Sequence, residues 1–363
     1  MKQLLSKLSP LSLIGIFLFI AEPVLAQKQE PSPHPVIINT DLVVTWAQVT
    51  NRADGSPVNG LGIQDFALRE EGKQQQINLV KEGQPLSVVI LVDGMTCVSE
   101  PERWYRRREE ILRQLGDDAE IALMAWDSDA VLVQPLTTDH SVITEKLSDK
   151  LNFFYALNPG PYGIEPYFGT EIKVRPERTH YRPGEAIYQA ARYLEKAASS
   201  GRRKIVIVVS RSELKLASTH IHKSSEVKAV LNRTGTTVYG LVHDEKYRRF
   251  GEKLYDRIGT PLSEIRGLLG GTLNQFVNLT GGVTLTGEWE ECDELFIKLA
   301  RMIRSSYTIG YYPENSDFDG RFRRISLELS RQGKTKAGKV AIKTRDGYYA
   351  LRPAHPADTG MRR

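Results

Sequence analysis

The residues of this chain best placed to do chemistry are Asp93-Gly94-Met95-Thr96-Cys97, an acid, a hydroxyl and a thiol on a glycine-bearing stretch. They follow Leu86-Ser87-Val88-Val89-Ile90-Leu91-Val92, an apolar and mostly β-branched run that reads as a strand buried on both faces. Such a strand lies in mid-sheet. In an open α/β sheet the loop at its C-terminal end lies along the edge where ligands bind, so function is sought there first. The other chemical motifs are incomplete. Gly333-Lys334-Thr335 has the ending of a phosphate-binding loop, but Glu328 stands at the earlier glycine position and the surrounding stretch is β-rich. Gly60-Leu61-Gly62 has Asp65 where a dinucleotide fingerprint needs its third glycine. His220-Ile221-His222 has no third ligand at zinc-site spacing and reads as a solvated loop, and Asp127-Ser128-Asp129 reads as a turn. No nucleophile-elbow or metalloprotease motif occurs, so no catalytic residue is assigned and the chain is not expected to be an enzyme.

The elements that must position residues 93–97 alternate in type. Arg103–Leu115, Val142–Leu151, Ala186–Ala198, Glu226–Asn232, Ser263–Thr280 (broken near Gly270-Gly271) and Glu290–Ser305 carry helical spacing. Between them Ile121–Trp126, Val131–Leu136, Lys204–Ser210, Thr236–Val242 and Val283–Thr286 read as strands. Strands alternating with helices predict right-handed parallel crossovers and a sheet covered on both faces. Short strands flank this region. Asp41–Thr50, Phe66–Glu70 and Gln75–Val80 precede it, with Ala53-Asp54-Gly55-Ser56-Pro57 as a hairpin turn. Tyr307–Tyr312, Arg321–Ser330 and Lys339–Thr344 follow it. A β unit this small needs partners from elsewhere in the chain. The expected arrangement is a doubly wound, mostly parallel sheet inserted in a small β-sandwich whose halves are the N- and C-terminal strands.

Composition agrees with a globular protein: 363 residues, 40% hydrophobic, net charge +5. Met1–Ala26 has Lys2 and Lys7, the apolar run Leu11–Ile20, and Val24-Leu25-Ala26 before Gln27, the layout of a cleaved secretory signal. The run is short for a membrane anchor, the competing reading, and Glu22-Pro23 follows it. The mature chain is therefore expected to be soluble and secreted or periplasmic, without stable membrane insertion. Its basic residues are spread among acids, apart from Arg106-Arg107-Arg108 and Arg202-Arg203-Lys204. These clusters lack interleaved aromatics, so they read as solvated faces and not as a nucleic-acid platform. Two cysteines, Cys97 and Cys292, are too few for a disulfide scaffold; export permits a bridge between them, which is not the expected state.

Several of these segments, taken in order, resemble a known family. They are Gly62-Ile63-Gln64-Asp65-Phe66, the strand Pro85–Asp93, Arg202–Ser210, Leu279-Thr280-Gly281-Gly282 and Tyr307-Thr308-Ile309-Gly310-Tyr311-Tyr312-Pro313. Their order and spacing are similar to those of exported bacterial proteins with a von Willebrand factor type A-related domain, from about Val36 to Tyr348. The resemblance implies a fold whose top face binds other macromolecules, commonly through a divalent metal. That metal is held by an Asp-x-Ser-x-Ser loop, a Thr on a second loop and an Asp on a third. With the segments before and after it, the chain is expected to divide into a signal (1–26), a linker (27–35), the first part of a β-sandwich (36–84), a type A-like domain (85–305), the second part of the sandwich (306–351) and a disordered tail (352–363).

At the metal site this sequence departs from that pattern. Met95 and Cys97 stand where serine hydroxyls would coordinate, Glu185 where the Thr would be, and Arg211 where the third-loop Asp would be, leaving Asp93 as the matching ligand. A thioether is a poor ligand for Mg²⁺, which demands close oxygens. In one reading the guanidinium of Arg211 replaces the ion between Asp93 and Glu185 as an internal ion-pair network, and no metal or other cofactor is needed. In the other, Asp93, Glu185 and Glu213 form a weak Mg²⁺ cage. The first is preferred, because losing two hydroxyls while gaining a cation disfavours a divalent ion twice over.

The stretch Asn152–Pro183 carries Pro159, Pro161, Pro166 and Pro176 with Phe153, Phe154, Tyr155, Tyr162, Tyr167, Phe168 and Tyr181, and it leads directly into Glu185. Long irregular segments of this kind are functional or mobile, and aromatic loops suit a protein-binding patch or pin themselves to the body. The expected function is an exported, non-enzymatic module that recognises a protein partner through Asp93, Thr96, Glu185, Arg211, Tyr162, Tyr167 and Phe168. A metal-dependent adhesin and a secreted hydrolase are the alternatives.

Overall fold

The computed structural model describes residues 42–93, 106–126, 129–148, 183–211, 222–243 and 271–351; the side chains of residues 211, 243, 271, 272 and 289 are not included. The expectations for the signal, the linker, Thr96, Cys97, the aromatic loop with Tyr162, Tyr167 and Phe168, Glu213 and the tail lie outside the described residues. Among the described residues, no helix is long and apolar enough to cross a membrane.

The strands are β1 (Val43–Asn51), β2 (Phe66–Glu70), β3 (Lys73–Gln75), β4 (Ile77–Glu82), β5 (Leu86–Asp93), β6 (Glu120–Trp126), β7 (Ala130–Thr137), β8 (Arg203–Arg211), β9 (Thr237–His243), β10 (Thr284–Gly287), β11 (Tyr307–Tyr311), β12 (Phe322–Leu329), β13 (Val340–Thr344) and β14 (Gly347–Tyr349). The helices are α1 (Arg108–Leu115), α2 (His140–Ser148), α3 (Pro183–Ala197), α4 (Ser224–Thr234), α5 (Gly271–Leu279), α6 (Cys292–Arg304) and α7 (Arg331–Ala337). Six strands form one sheet in the order β10-β9-β8-β5-β6-β7, all parallel except β7, which pairs antiparallel to β6. The chain builds outward from β5 through β6 to β7, then restarts at β8 on the other side of β5. The switch point of this doubly wound sheet therefore lies between β5 and β8.

Every residue of β5 is buried, because helices cover both faces. Val88, Ile90 and Val92 enter one apolar cluster with Ile111 and Leu112 of α1, Ile143 and Leu147 of α2, and Phe296 and Ile303 of α6. Val89 and Leu91 enter the other with Ile187, Ala190 and Leu194 of α3, Val227 and Leu231 of α4, and Phe276 of α5. This division follows from the two-residue period of a strand.

The strands at the two ends of the chain form two four-stranded sheets, β13-β1-β11-β4 and β14-β12-β2-β3. Ala47, Val49, Ile77, Tyr307 and Ile309 of the first share an apolar cluster with Phe66, Leu68, Ile325 and Leu327 of the second. The pairings β1 with β11 and β12 with β2 join segments from before β5 to segments from after α6, so neither end of the chain completes a sheet alone.

These sheets meet the strand-starting edge of the six-stranded sheet at a polar joint around Trp46. Its indole Nε1 donates to the Thr280 carbonyl at 2.8 Å, and the guanidiniums of Arg203 and Arg345 lie 5.2 and 5.7 Å from its ring centroid. Arg203 also donates to Tyr239 Oη at 2.8 Å. Gly281, at φ +72°, packs directly against the Thr344–Arg345 backbone. The cluster Arg202-Arg203-Lys204 is thus no solvated face. Arg202 lies 3.4 Å from Glu120 and donates to the Asp118 carbonyl, and Lys204 reaches the Thr234 carbonyl.

Two further expectations need correction. The helix expected from Ala186 already includes Pro183-Gly184-Glu185, which moves Glu185 from a loop into a first turn. A proline is tolerated there because its missing N–H has no intrahelical acceptor. Gly333-Lys334-Thr335, assigned to no element, lies in a short helix set between β12 and β13 of the β-rich region. With no apolar stripe, α7 is specified instead by Ser330, which caps Gly333 N, and by contact of Gly333 with the Asp65 backbone.

Two measurements test this packing. Gly281→Ala would bring a Cβ within 2.6 Å of the Thr344 carbonyl carbon at a left-handed φ, and should lower unfolding stability by about 2 kcal/mol or more in urea titration. The Asp65 carboxyl is held below its ordinary pKa by the Gly62 backbone N–H, with Lys336 adding to the effect against burial. Its contribution is fully present above the unfolded value near 4 and is lost as pH falls through the lowered folded value. The stability difference between the native chain and Asp65→Asn should therefore shrink in acid; a difference independent of pH would refute this role.

Candidate functional site at the strand ends

The sheet brings three polar side chains to the switch point. Asp93 ends β5 with 1% exposure and continues the alternation of Val89 and Leu91, which places it on the α3 side of the sheet. The pairing Val92↔Val209 sets Ser210 of β8 beside it on the same side, fully buried, with no hydrogen-bond partner for its Oγ among the described residues. Helix α3 leads into β8 and packs on both strands, so its first turn stands over their C-terminal ends and holds Glu185 at 4% exposure.

Both oxygens of the Glu185 carboxylate accept hydrogen bonds from protein donors. Gln189 Nε2, one turn on, donates to Oε1 at 3.1 Å, and His222 Nδ1 donates to Oε2 at 2.8 Å. The His222 ring stacks on Tyr188, with centroids 3.7 Å apart and planes 18° apart. Gln189 also reaches Asp129 Oδ1 at 3.2 Å, and its own Oε1 accepts from Ala130 N at 2.7 Å, tying α3 to the start of the edge strand β7. A buried carboxylate is thereby satisfied from its own helix and from the segment just before α4.

His222, read from the sequence as part of a solvated loop, is instead the partner of Glu185. The signal available in sequence was only an acid in a buried first turn and an unassigned histidine 37 residues later, with nothing to join them. Asp93 at the end of β5 and Glu185 in the first turn of α3 lie at the same edge of the sheet. Arg211 ends β8 with its backbone paired to His243, and its side chain lies outside the described residues. Cys292 is buried at the start of α6, while Cys97 lies outside them. Among the described residues, no group of three or more His, Cys, Asp or Glu gathers as a metal-ligand set. Each oxygen of the Glu185 carboxylate already takes one protein donor.

No protein-family model and no curated protein sequence matches the chain. Solved structures do resemble it. They include BatB from Bacteroides thetaiotaomicron, at 15% identity over 61% of this chain and all of that one, TM-score 0.34. The SpRpn10 VWA domain is similar at 9% identity over 58% of this chain and 93% of that one, TM-score 0.30. Proximal thread matrix protein 1 from the mussel byssus is similar at 11% identity over 62% of this chain and 49% of that one, TM-score 0.33. The chain is similar to von Willebrand factor type A-related proteins. These global similarities are low, and the doubly wound assignment rests on the strand order itself.

Replacing Glu185 with Ala should cost about 1–3 kcal/mol of stability by urea unfolding, because Gln189 and His222 lose their shared acceptor in a buried setting. A variant as stable as the native chain would show that the carboxylate is dispensable to the fold.

Proposed function

We propose that this chain is an exported, non-enzymatic module that recognises a protein partner through the C-terminal edge of its six-stranded sheet and needs no metal ion there. The observation that carries this reading is the Glu185 carboxylate at the switch point, satisfied from within by Gln189 and His222. The charge that a bound cation would balance is met at Glu185 by protein donors. The recognition surface then comprises Thr96, Arg211, the aromatics Tyr162, Tyr167 and Phe168, and His222 with its stacked Tyr188, built around the buried carboxylates of Asp93 and Glu185. The joint around Trp46 occupies the opposite edge of the sheet.

A metal-dependent adhesin is the second reading, supported by the convergence of Asp93 and Glu185 on one edge. The two separate in a thermal melt. The metal-free module should show the same midpoint in Mg²⁺ and in chelator, and its capture of a partner from the extracellular or periplasmic fraction should survive chelation and fail in His222→Glu. A rise in midpoint with Mg²⁺, or capture abolished by chelator, would establish the adhesin instead.

A further inference from the structure

The paired end-sheets carry a cationic surface that the partner-binding edge does not use. The sixteen residues Leu329–Thr344 contain five basic residues and no acid. Arg331 and Lys334 are one turn apart on α7 and both exposed, and Lys339 follows exposed after the helix. Arg52 joins them from the end of β1, its backbone N–H bonded to the Lys339 carbonyl and its Nε to that of Val340. None of these four has an ion-pair partner among the described residues; Lys336, on the same helix, lies 3.2 Å from buried Asp65 and secures α7 to the turn at residues 63–65. On that turn Ile63 stands 42% exposed, an apolar side chain beside the cations.

We infer that this surface docks the chain on an anionic phospholipid bilayer. The cations are long, exposed side chains spread over α7, the turn after it and the end of β1, so they match a diffuse negative surface better than a shaped acidic site. Ile63 supplies an apolar point that can enter the interface between headgroups and acyl chains. The patch holds no exposed aromatic for base stacking, which argues against a single-stranded nucleic acid. The association is peripheral and salt-sensitive, and it leaves the sheet edge with Glu185 and His222 uncovered.

Co-sedimentation of the full chain with vesicles tests this. Vesicles of mixed phosphatidylcholine and phosphatidylglycerol should bind it, and vesicles of phosphatidylcholine alone should bind at least tenfold less. The triple variant Arg331→Glu, Lys334→Glu, Lys339→Glu should lose at least tenfold on the anionic vesicles with its thermal midpoint unchanged. It keeps the same N-terminal apolar segment, so any binding through residues 11–20 cancels in the comparison. Equal binding to both vesicle types, or a variant that binds as the native chain does, overturns the inference. Binding to soluble polyglutamate but not to the anionic vesicles overturns it in favour of an acidic protein.

Discussion

A carboxylate removed from water must be met by donors, and two carboxylates are buried where the sheet changes direction. Asp93 is carried there because it ends a strand whose side chains are all inside the protein. Glu185 is carried there because the crossover before β8 brings the start of α3 over the same strand ends. The local architecture answers this constraint. Gln189 is one helical turn from Glu185, and His222 is delivered beyond β8 and held flat against Tyr188. The ring's Nδ1 is committed to Glu185, which fixes the imidazole's orientation.

The same economy of polar groups appears at the other edge of the sheet, where it serves assembly. Trp46 lies between two guanidiniums and donates to Thr280, and Gly281 lets the Thr344–Arg345 backbone come close. This joint explains why the strands at both ends of the chain pair with one another while the α/β part lies between them in sequence. From Asp41 onward the two parts form one unit. Inside the paired sheets, buried Glu70 accepts from Tyr311 Oη at 2.6 Å and Tyr348 Oη at 3.1 Å. Burial and that carboxylate push the Tyr348 hydroxyl up to about 12. The tyrosines therefore stay neutral donors at ordinary pH.

Much of the fold was legible because it follows local periodicity. The uninterrupted apolar run at 86–92, the helical stripe of Ile187, Ala190, Ala191 and Leu194, and Gly235 at the end of α4 each carry a signal within a few residues. Gly235 indeed adopts φ 67° and closes that helix. Helix α7 was missed because its seven residues lack an apolar stripe. It is held by Ser330 and by the absence of a Cβ at residue 333, and neither property has a period.

The candidate site was legible only in part, and the division has a physical cause. Sequence alone determined that a carboxylate ends a fully buried strand, that Glu185 adjoins a run with an apolar helical face, and that Met95 and Cys97 are poor company for a hard cation. All of these follow from residue type and near neighbours along the chain. The tertiary structure decided the partners: which side of the sheet Asp93 occupies, that Ser210 lies beside it, and that His222 donates to Glu185. Hydrogen bonds between side chains depend on distances of a few tenths of an ångström across elements far apart in sequence. The packing of helices on the sheet sets those distances, and no local pattern encodes them.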